Sequence, residues 1–377
     1  MLPYECVGPN YIALAVPFFF VLIGIEILLA RRRGRQVYRL NDALSDLGCG
    51  ITQQTLLVFF NAFLLAAYVW MYQHLRVVDL GRTPVAAWVV AFVGVDFVYY
   101  WWHRASHRIN LLWAAHAVHH QSEDYNLAVA LRQAVLTPFT SLPFALPLAM
   151  LGIPPLIYVA AAAFSTLYQF WIHTELVGRL GRLERILNTP SHHRVHHARN
   201  AAYIDRNYGA VLIVWDRLFG TYAQEDAPPI YGLTRPLRSF NSLWAQCSPI
   251  WELVAWARHA PRMGDRLRVW LAPPERTFDW TGPVGKLALD APKFDAEVSR
   301  PLCAYLILNF ALAVVATFLL MLWGATLPLA TLLAGAALIL LAMLSIGGLV
   351  EARRWARPLE IARIALTALA LLALRVN

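Results

Sequence analysis

Apolar residues in this chain come in long unbroken blocks, not at the spacing of a half-buried helix or the alternation of a strand. Runs from about Tyr11 to Ala30, Leu47 to Trp70, Val85 to Trp102 and Val135 to Leu151 each predict a helix. Four more follow, from about Leu156 to Ile172, Leu302 to Trp323, Leu327 to Leu349 and Leu359 to Leu374. About 20 apolar residues suffice for a helix to cross a bilayer, so the pattern predicts an all-α, polytopic helical membrane protein with eight crossings. The first run lacks a basic leader and ends in Arg31, Arg32 and Arg33 in place of a small-residue cleavage site, and so reads as a retained helix.

Composition agrees: 59% of the 377 residues are hydrophobic, and the mean hydropathy of +0.49 excludes an ordinary soluble domain. The net charge of +9 does not point to nucleic acid, because the basic residues gather beside apolar runs, at Arg31–Arg33 and Arg35 and again at Arg353, Arg354 and Arg357. That is a topology signal. With the Arg31 cluster in the cytoplasm, alternation of eight crossings puts the His103–Arg132 connection, the Thr174–Pro301 region and the Arg353 cluster there too, and both termini on the opposite side. Arginine far outnumbers lysine and alanine is abundant, which suggests a GC-rich bacterial source and hence an inner membrane. Cys6, Cys49, Cys247 and Cys303 are scattered without metal or disulfide spacing and read as small packing residues.

Four regions are expected: residues 1–132 with three apolar runs, 133–223 with a central helix pair, 224–301 as a cap, and 302–377 with the C-terminal helices. The stretch from about Gln224 to Lys293, rich in Pro, Trp and Arg, suits short helices at the headgroup level. The chain has no GxGxxG after a strand, no phosphate-binding loop and no CxxCH, so electrons for a redox reaction must come from an external donor.

Three histidine clusters lie just beyond apolar runs: His103 and His107 in HRASH, His116, His119 and His120 in HAVHH, and His193, His196 and His197 in HHRVHH. Spacings of three and four bring imidazoles to one helix face. Eight are too many for one zinc, which takes four protein ligands or three plus water, but they fit two metals with open positions. Thr189-Pro190 predicts a helix start before the third cluster, and His192 falls off its ligand face by about 100°. His173 in FWIHTE lies at the right depth for a ninth ligand. His74 and His259 lack partners. The set of metal ligands expected is therefore His103, His107, His116, His119, His120, His193, His196 and His197, with His173 a candidate ninth, since a lone interfacial histidine is as often not a ligand. Ligating imidazoles need acceptors for their second N–H, and Glu123, Asp124, Glu175 and Asp205 are candidates, the first two and Asp205 also as acidic groups of a catalytic centre. Iron is favoured over zinc because an apolar setting implies a hydrocarbon substrate, whose C–H bond needs O2 chemistry that zinc does not perform; zinc can occupy the same site in purified protein.

The motifs HRASH, HAVHHQSEDYNLAVALRQ, FWIHTE, NTPSHHRVHHARN, IDRNYG and LIVWDRLFGTY together resemble the fatty acid hydroxylase and sterol desaturase superfamily. The subgroup most resembled is the tetrahydrobiopterin-dependent monooxygenases that cleave ether lipids. The likeness runs from about Asn41 through GLTRPL at Gly232 to LSIGGLVEARR. It implies a diiron centre on the eight clustered histidines with His173 completing it, a reduced pterin as two-electron donor, O2 as co-substrate, and a membrane lipid hydroxylated at the ether-linked carbon of an alkylglycerol, which then breaks to a fatty aldehyde. One position departs from the subgroup's usual HE: His107 is followed by Arg108, which reverses the local charge. The alternative within the superfamily is a fatty acyl, sterol or carotenoid hydroxylase or desaturase fed by a ferredoxin or cytochrome. A haem subunit would need single histidines on facing helices, and a transporter would place ligands near the bilayer midplane; adjacent pairs at helix ends suit neither.

Overall fold

Proline in the first turn and basic residues in the last mark several of the long helices, as their unpaired N–H and C=O groups require. In the computed structural model, which describes residues 10–276 and 288–376, the described residues form fourteen α-helices and no strand, with two isolated β-bridges. Helix α1 (Tyr11–Arg32) is capped by the Asn10 side chain, which accepts from Ala13 N at 3.0 Å, and ends on Arg31 and Arg32. Helix α2 is Leu40–Leu75, and α3 (Pro84–Arg108) starts on its proline and ends with His107 and Arg108. Short α4 (Asn110–His116), a 3₁₀ turn over Ala117–His120 and α5 (Leu127–Ala130) follow. The pair α6 (Thr137–Met150) and α7 (Pro155–Trp171) precedes α8 (Pro190–His197) and α9 (Val214–Leu218). The cap carries α10 (Ser242–His259) and α11 (Met263–Leu271); its residues 277–287 lie outside the described residues. Helices α12 (Arg300–Trp323), α13 (Leu329–Val350) and α14 (Ala356–Val376) complete the chain.

Five helices, α1, α2, α3, α12 and α13, are long and apolar enough to cross a membrane, and the protein is an integral membrane protein. The expected eight crossings are therefore corrected to five that meet this standard. Helices α6 and α7 have 14 and 17 residues, about 21 and 26 Å against a hydrocarbon core of about 30 Å. They form a hairpin whose tip docks on the α2–α3 turn: Val77 N donates to Met150 O at 2.7 Å and Tyr68 Oη to Ile153 O at 3.1 Å. The opposite end of the hairpin stops at the histidines, below the start of α2, which is why it is short. Helix α14 doubles back along α13 and carries Arg357, Glu360 and Arg363 in its first two turns. Glu360 accepts from Ser345 at 2.7 Å and from Tyr305, and Arg363 holds both Glu360 and Asn309.

One packed core joins α2, α12 and α13 through Leu306, Phe310, Met343 and Ile346; a second joins α2, α3, α6 and α7 around Tyr68, Ala91 and Leu148. Phe18, Val85 and Ile361 remain largely exposed, as lipid-facing residues do. Buried Glu26 ties α1 to the rest, accepting from Leu127 N at 2.9 Å and from the hydroxyls of Tyr38 and Thr174. Cys49 is buried and Cys303 partly so; Cys247 is exposed, contrary to its expected packing role, and Cys6 lies outside the described residues.

Candidate metal centre

Nine imidazoles from the end of α3, the α4–3₁₀ segment, the loop after α7 and helix α8 converge at one end of the bundle. They form two sets. His103, His107, His116, His120 and His196 make one, and His119, His173, His193 and His197 the other, each with all its nitrogen donors within 4.8 Å of one another. The second and third clusters are each divided between the sets, whereas the spacing alone suggested one shared face. In α8, His196 and His197 follow His193 by three and four residues, which places them about 60° behind and 40° ahead of it around the axis. An arc of about 100° lets one turn serve two centres. His116, by contrast, ends α4, and His119 and His120 belong to the 3₁₀ turn, so the second cluster is not one continuous α-helix.

Four Nδ1 atoms face backbone carbonyls: His103 on Tyr208 O at 2.8 Å, His119 on Arg132 O at 2.9 Å, His173 on Gln169 O at 2.7 Å and His196 on Arg206 O at 2.9 Å. A carbonyl only accepts, so each of these rings carries its proton on Nδ1 and presents a bare Nε2. Nε2 atoms nevertheless meet at close range: His103–His116 at 3.0 Å, His116–His120 at 3.1 Å, His119–His173 at 3.2 Å, His173–His193 at 3.0 Å and His193–His197 at 3.2 Å. Converging lone pairs repel unless a cation lies between them. At a metal–nitrogen distance of about 2.1 Å, ligands at right angles are about 3.0 Å apart and tetrahedral ones about 3.4 Å. The observed contacts of 3.0–3.2 Å fall within this range, as ligands converging on shared metal ions would. Burial lowers His119 to about 4 and His196 to about 3, and pushes His193 and His197 well below the usual histidine range, so the rings are neutral ligands at neutral pH. Nε2 of His107 and of His196 are buried without a hydrogen-bond partner, as open ligand positions would be. The donor set therefore fits two metal ions.

The carbonyl acceptors were missed in the sequence because every residue type has one. Their supply is nonetheless specific. Asp205 and Asn207 adopt left-handed backbone, φ 60° and 56°, and alternate with Arg206 and Tyr208, the two residues whose carbonyls reach His196 and His103. Asn207 is held by His192 O at 3.0 Å and by Ala223 O and N, both at 2.8 Å; Asp216 receives Tyr208 N at 2.7 Å and Gly209 N at 2.8 Å. Arg132, fully buried, donates to Val118 O at 2.7 Å, Gln121 at 2.7 Å and Asp46 at 3.0 Å while its own carbonyl takes His119, so one residue fixes the middle cluster from both sides.

The acidic candidates are placed elsewhere. Glu123 accepts from Phe294 N at 2.6 Å, and Asp124 holds Arg39 at 3.1 Å and Lys293 at 2.7 Å, fastening the loop after the second cluster to the linker before α12. Glu175 pairs with Arg35 at 2.7 Å. Asp205 alone approaches a ring, 3.9 Å from Nδ1 of His107, and is taken by Arg108 at 2.6 Å. Arg108 also meets Glu275 at 3.2 Å, so its charge is met by two carboxylates. His192 is buried against Tyr222 and stands outside both sets.

The two sets separate two cavities. One, about 410 Å³, lies inside the helix bundle and reaches His116, His119 and His173. The other, about 620 Å³, lies under the cap and reaches His107, His120, His196 and His197, with Trp113, Trp244 and Trp256 on its walls and Arg108's partners Asp205 and Glu275 among its lining.

A membrane-embedded bundle closed at one end by nine buried imidazoles in two sets defines a dimetal-type membrane oxidoreductase. Residues 88–221 match the fatty acid hydroxylase family model. The chain is 39% identical to human alkylglycerol monooxygenase over 94% of its own length and 81% of that protein, and 38% identical to the Danio rerio alkylglycerol monooxygenase over 95% and 81%. A Rhizobium tropici ornithine lipid hydroxylase is 30% identical over 37% of this chain and 43% of its own. No solved structure matches. The chain belongs to the alkylglycerol monooxygenase family of the fatty acid hydroxylases.

Proposed function

We propose that the protein is a diiron monooxygenase that hydroxylates the ether-linked carbon of alkylglycerol lipids, using O2 and a reduced pterin, with its centre facing the cytoplasm. The observation that carries this reading is the position of the two histidine sets, between an uncharged, apolar chamber in the bundle and a tryptophan-walled chamber under the cap that carries charged side chains. The five-histidine set exceeds the four protein ligands of zinc, which favours iron. Bound as a pair, iron would supply the O2 activation that imidazoles lack.

What the chain contributes is placement. His116, His119 and His173 lie at the inner end of the apolar chamber, where a lipid carbon enters. Backbone carbonyls fix the ring orientations, and burial keeps water from the reacting carbon. On the other side a planar heterocycle can lie against the indoles and reach the carboxylates of Asp205 and Glu275. In balance, one oxygen atom of O2 enters the C–H bond next to the ether oxygen. The other leaves as water with two electrons from the pterin and two protons, and the hemiacetal breaks its C–O bond to an aldehyde and glycerol.

Purified, iron-loaded protein given tetrahydrobiopterin, O2 and a long-chain alkylglycerol is expected to release the matching aldehyde. If no aldehyde forms and a ferredoxin or cytochrome instead supports oxidation of an acyl or sterol substrate, the ether reading is wrong.

A further inference from the structure

None of the described residues lining the bundle chamber is charged, yet along α3, α6 and α7 its polarity is graded in one direction. On α2 Gln53 and Gln54 form a polar belt between Leu47, Gly50 and Ile51 on one side and Leu57 on the other; on α3 the lining passes from Trp102 and Tyr99 to Val98 and Val95. On α6 it runs from Thr137 and Ser141 to Phe144 and Ala145. On α7 the stripe Gln169, Thr166, Ser165, Ala162, Tyr158 recurs at helical spacing and ends where Tyr158 stacks on Tyr68 at 4.1 Å. Three helices, α3, α6 and α7, thus lose amide and hydroxyl groups in favour of aliphatic and aromatic ones as they leave the imidazoles, and the glutamines of α2 stand at the polar end.

The amides at the polar end are partly committed. Nε2 of Gln133 donates to Ala130 O at 3.0 Å, that of Gln169 to Ser165 O at 3.1 Å and that of Gln54 to the Gln53 amide oxygen at 3.2 Å. What these three side chains chiefly offer a ligand is a carbonyl oxygen, an acceptor suited to a hydroxyl. From Gln169 to Tyr158 is about 17 Å along the helix, close to the length of one leaflet's hydrocarbon, about 15 Å.

We propose that the chamber binds a single-chain amphiphile head-first: its neutral, hydroxyl-bearing segment rests on Gln54, Gln133 and Gln169, and its tail runs along α7 to Tyr158. The carbon offered to the centre is then the one joining head to tail, and chain length is read at Ala162 and Tyr158. The inference rests on the proposed lipid oxidation for its chemistry, though the direction of the tail is independent of which lipid is oxidised.

The decisive experiment uses detergent-solubilised, metal-loaded protein and two photoreactive alkylglycerols, one with a diazirine at the tail end and one with it next to the ether. Mass spectrometry is expected to find the tail-end label on the peptide holding Tyr158 and Ala162, and the ether-side label near Gln133 or Gln169. A reversed pattern, or labelling confined to the cap cavity, overturns the proposal. In Ala162→Phe, kcat/KM should fall about tenfold or more for the longest chains of a homologous alkylglycerol series, with little change for the shortest; an equal loss at every length overturns the ruler. If no alkylglycerol is oxidised at all, the ether reading fails while the labelling still decides the orientation.

Discussion

Single residues at this centre divide into those that offer nitrogen and those that aim it. The first kind is legible in the sequence, because repeated spacings of three and four among histidines have few other causes. The second is not: Tyr208, Arg206, Arg132 and Gln169 act through backbone oxygens, and only the left-handed Asp205 and Asn207 betray that their loop is built for it. The carboxylates that seemed natural acceptors are drawn away by cations, Asp124 by Arg39 and Lys293, Glu175 by Arg35. A test of the assignment compares neighbours on one helix. His196→Ala removes a member of the five-histidine set, and metal analysis is expected to fall from about two equivalents per chain toward one. His192→Ala, four residues earlier and outside both sets, should keep the full content. Unchanged metal in the first variant, or equal loss in both, would rule the assignment out.

At the scale of elements, hydropathy located the apolar body of each long helix and missed what is polar or short. Helix α2 begins at Leu40, seven residues before its apolar run, because Asn41, Asp42 and Asp46 continue the helix while bonding Asp295, Ser122 and Arg132. Such an extension reads as loop in a hydropathy window. The α6–α7 hairpin was legible as two helices, but its depth follows from tertiary docking of the tip. Gly152 makes that docking possible: its φ is +80°, and an added Cβ would lie 1.8 Å from Val78 O. Gly152→Ala should therefore destabilise the protein by about 2 kcal/mol or more, seen as a lower Tm. Gly178→Ala, where an added Cβ meets nothing within 4 Å, should leave Tm unchanged. Equal Tm values for the two variants would mean that the tip does not lock the hairpin.

For the molecule as a whole, the distribution of charge and the position of the centre bear on each other. Arg31–Arg33 and Arg35 lie at the end of α1, where Arg35 pairs with Glu175 and Arg33 donates to the carbonyl of Leu176 in the loop after His173, and Arg353 lies where α13 turns into α14. All belong to the end of the bundle that holds the histidines. The opposite turns carry Arg76 and Arg82, the latter already paired with Asp79. Chains insert so that the more basic connections stay in the cytoplasm, and this charge bias supports the proposed orientation, in which the centre and the cap cavity lie on the side of a soluble reductant and the bundle chamber lies within the membrane-embedded helices. That orientation can be read directly in a variant with Cys6, Cys247 and Cys303 replaced by serine. A cysteine placed at Ala201, exposed beyond α8, should react with a membrane-impermeant maleimide only after cells are opened, and one at Thr83, exposed in the α2–α3 turn, should react in intact cells. The reverse pattern would place the centre on the outer face, where a cytosolic pterin could not reach it, and the donor would have to be sought among extracytoplasmic or membrane-borne carriers instead.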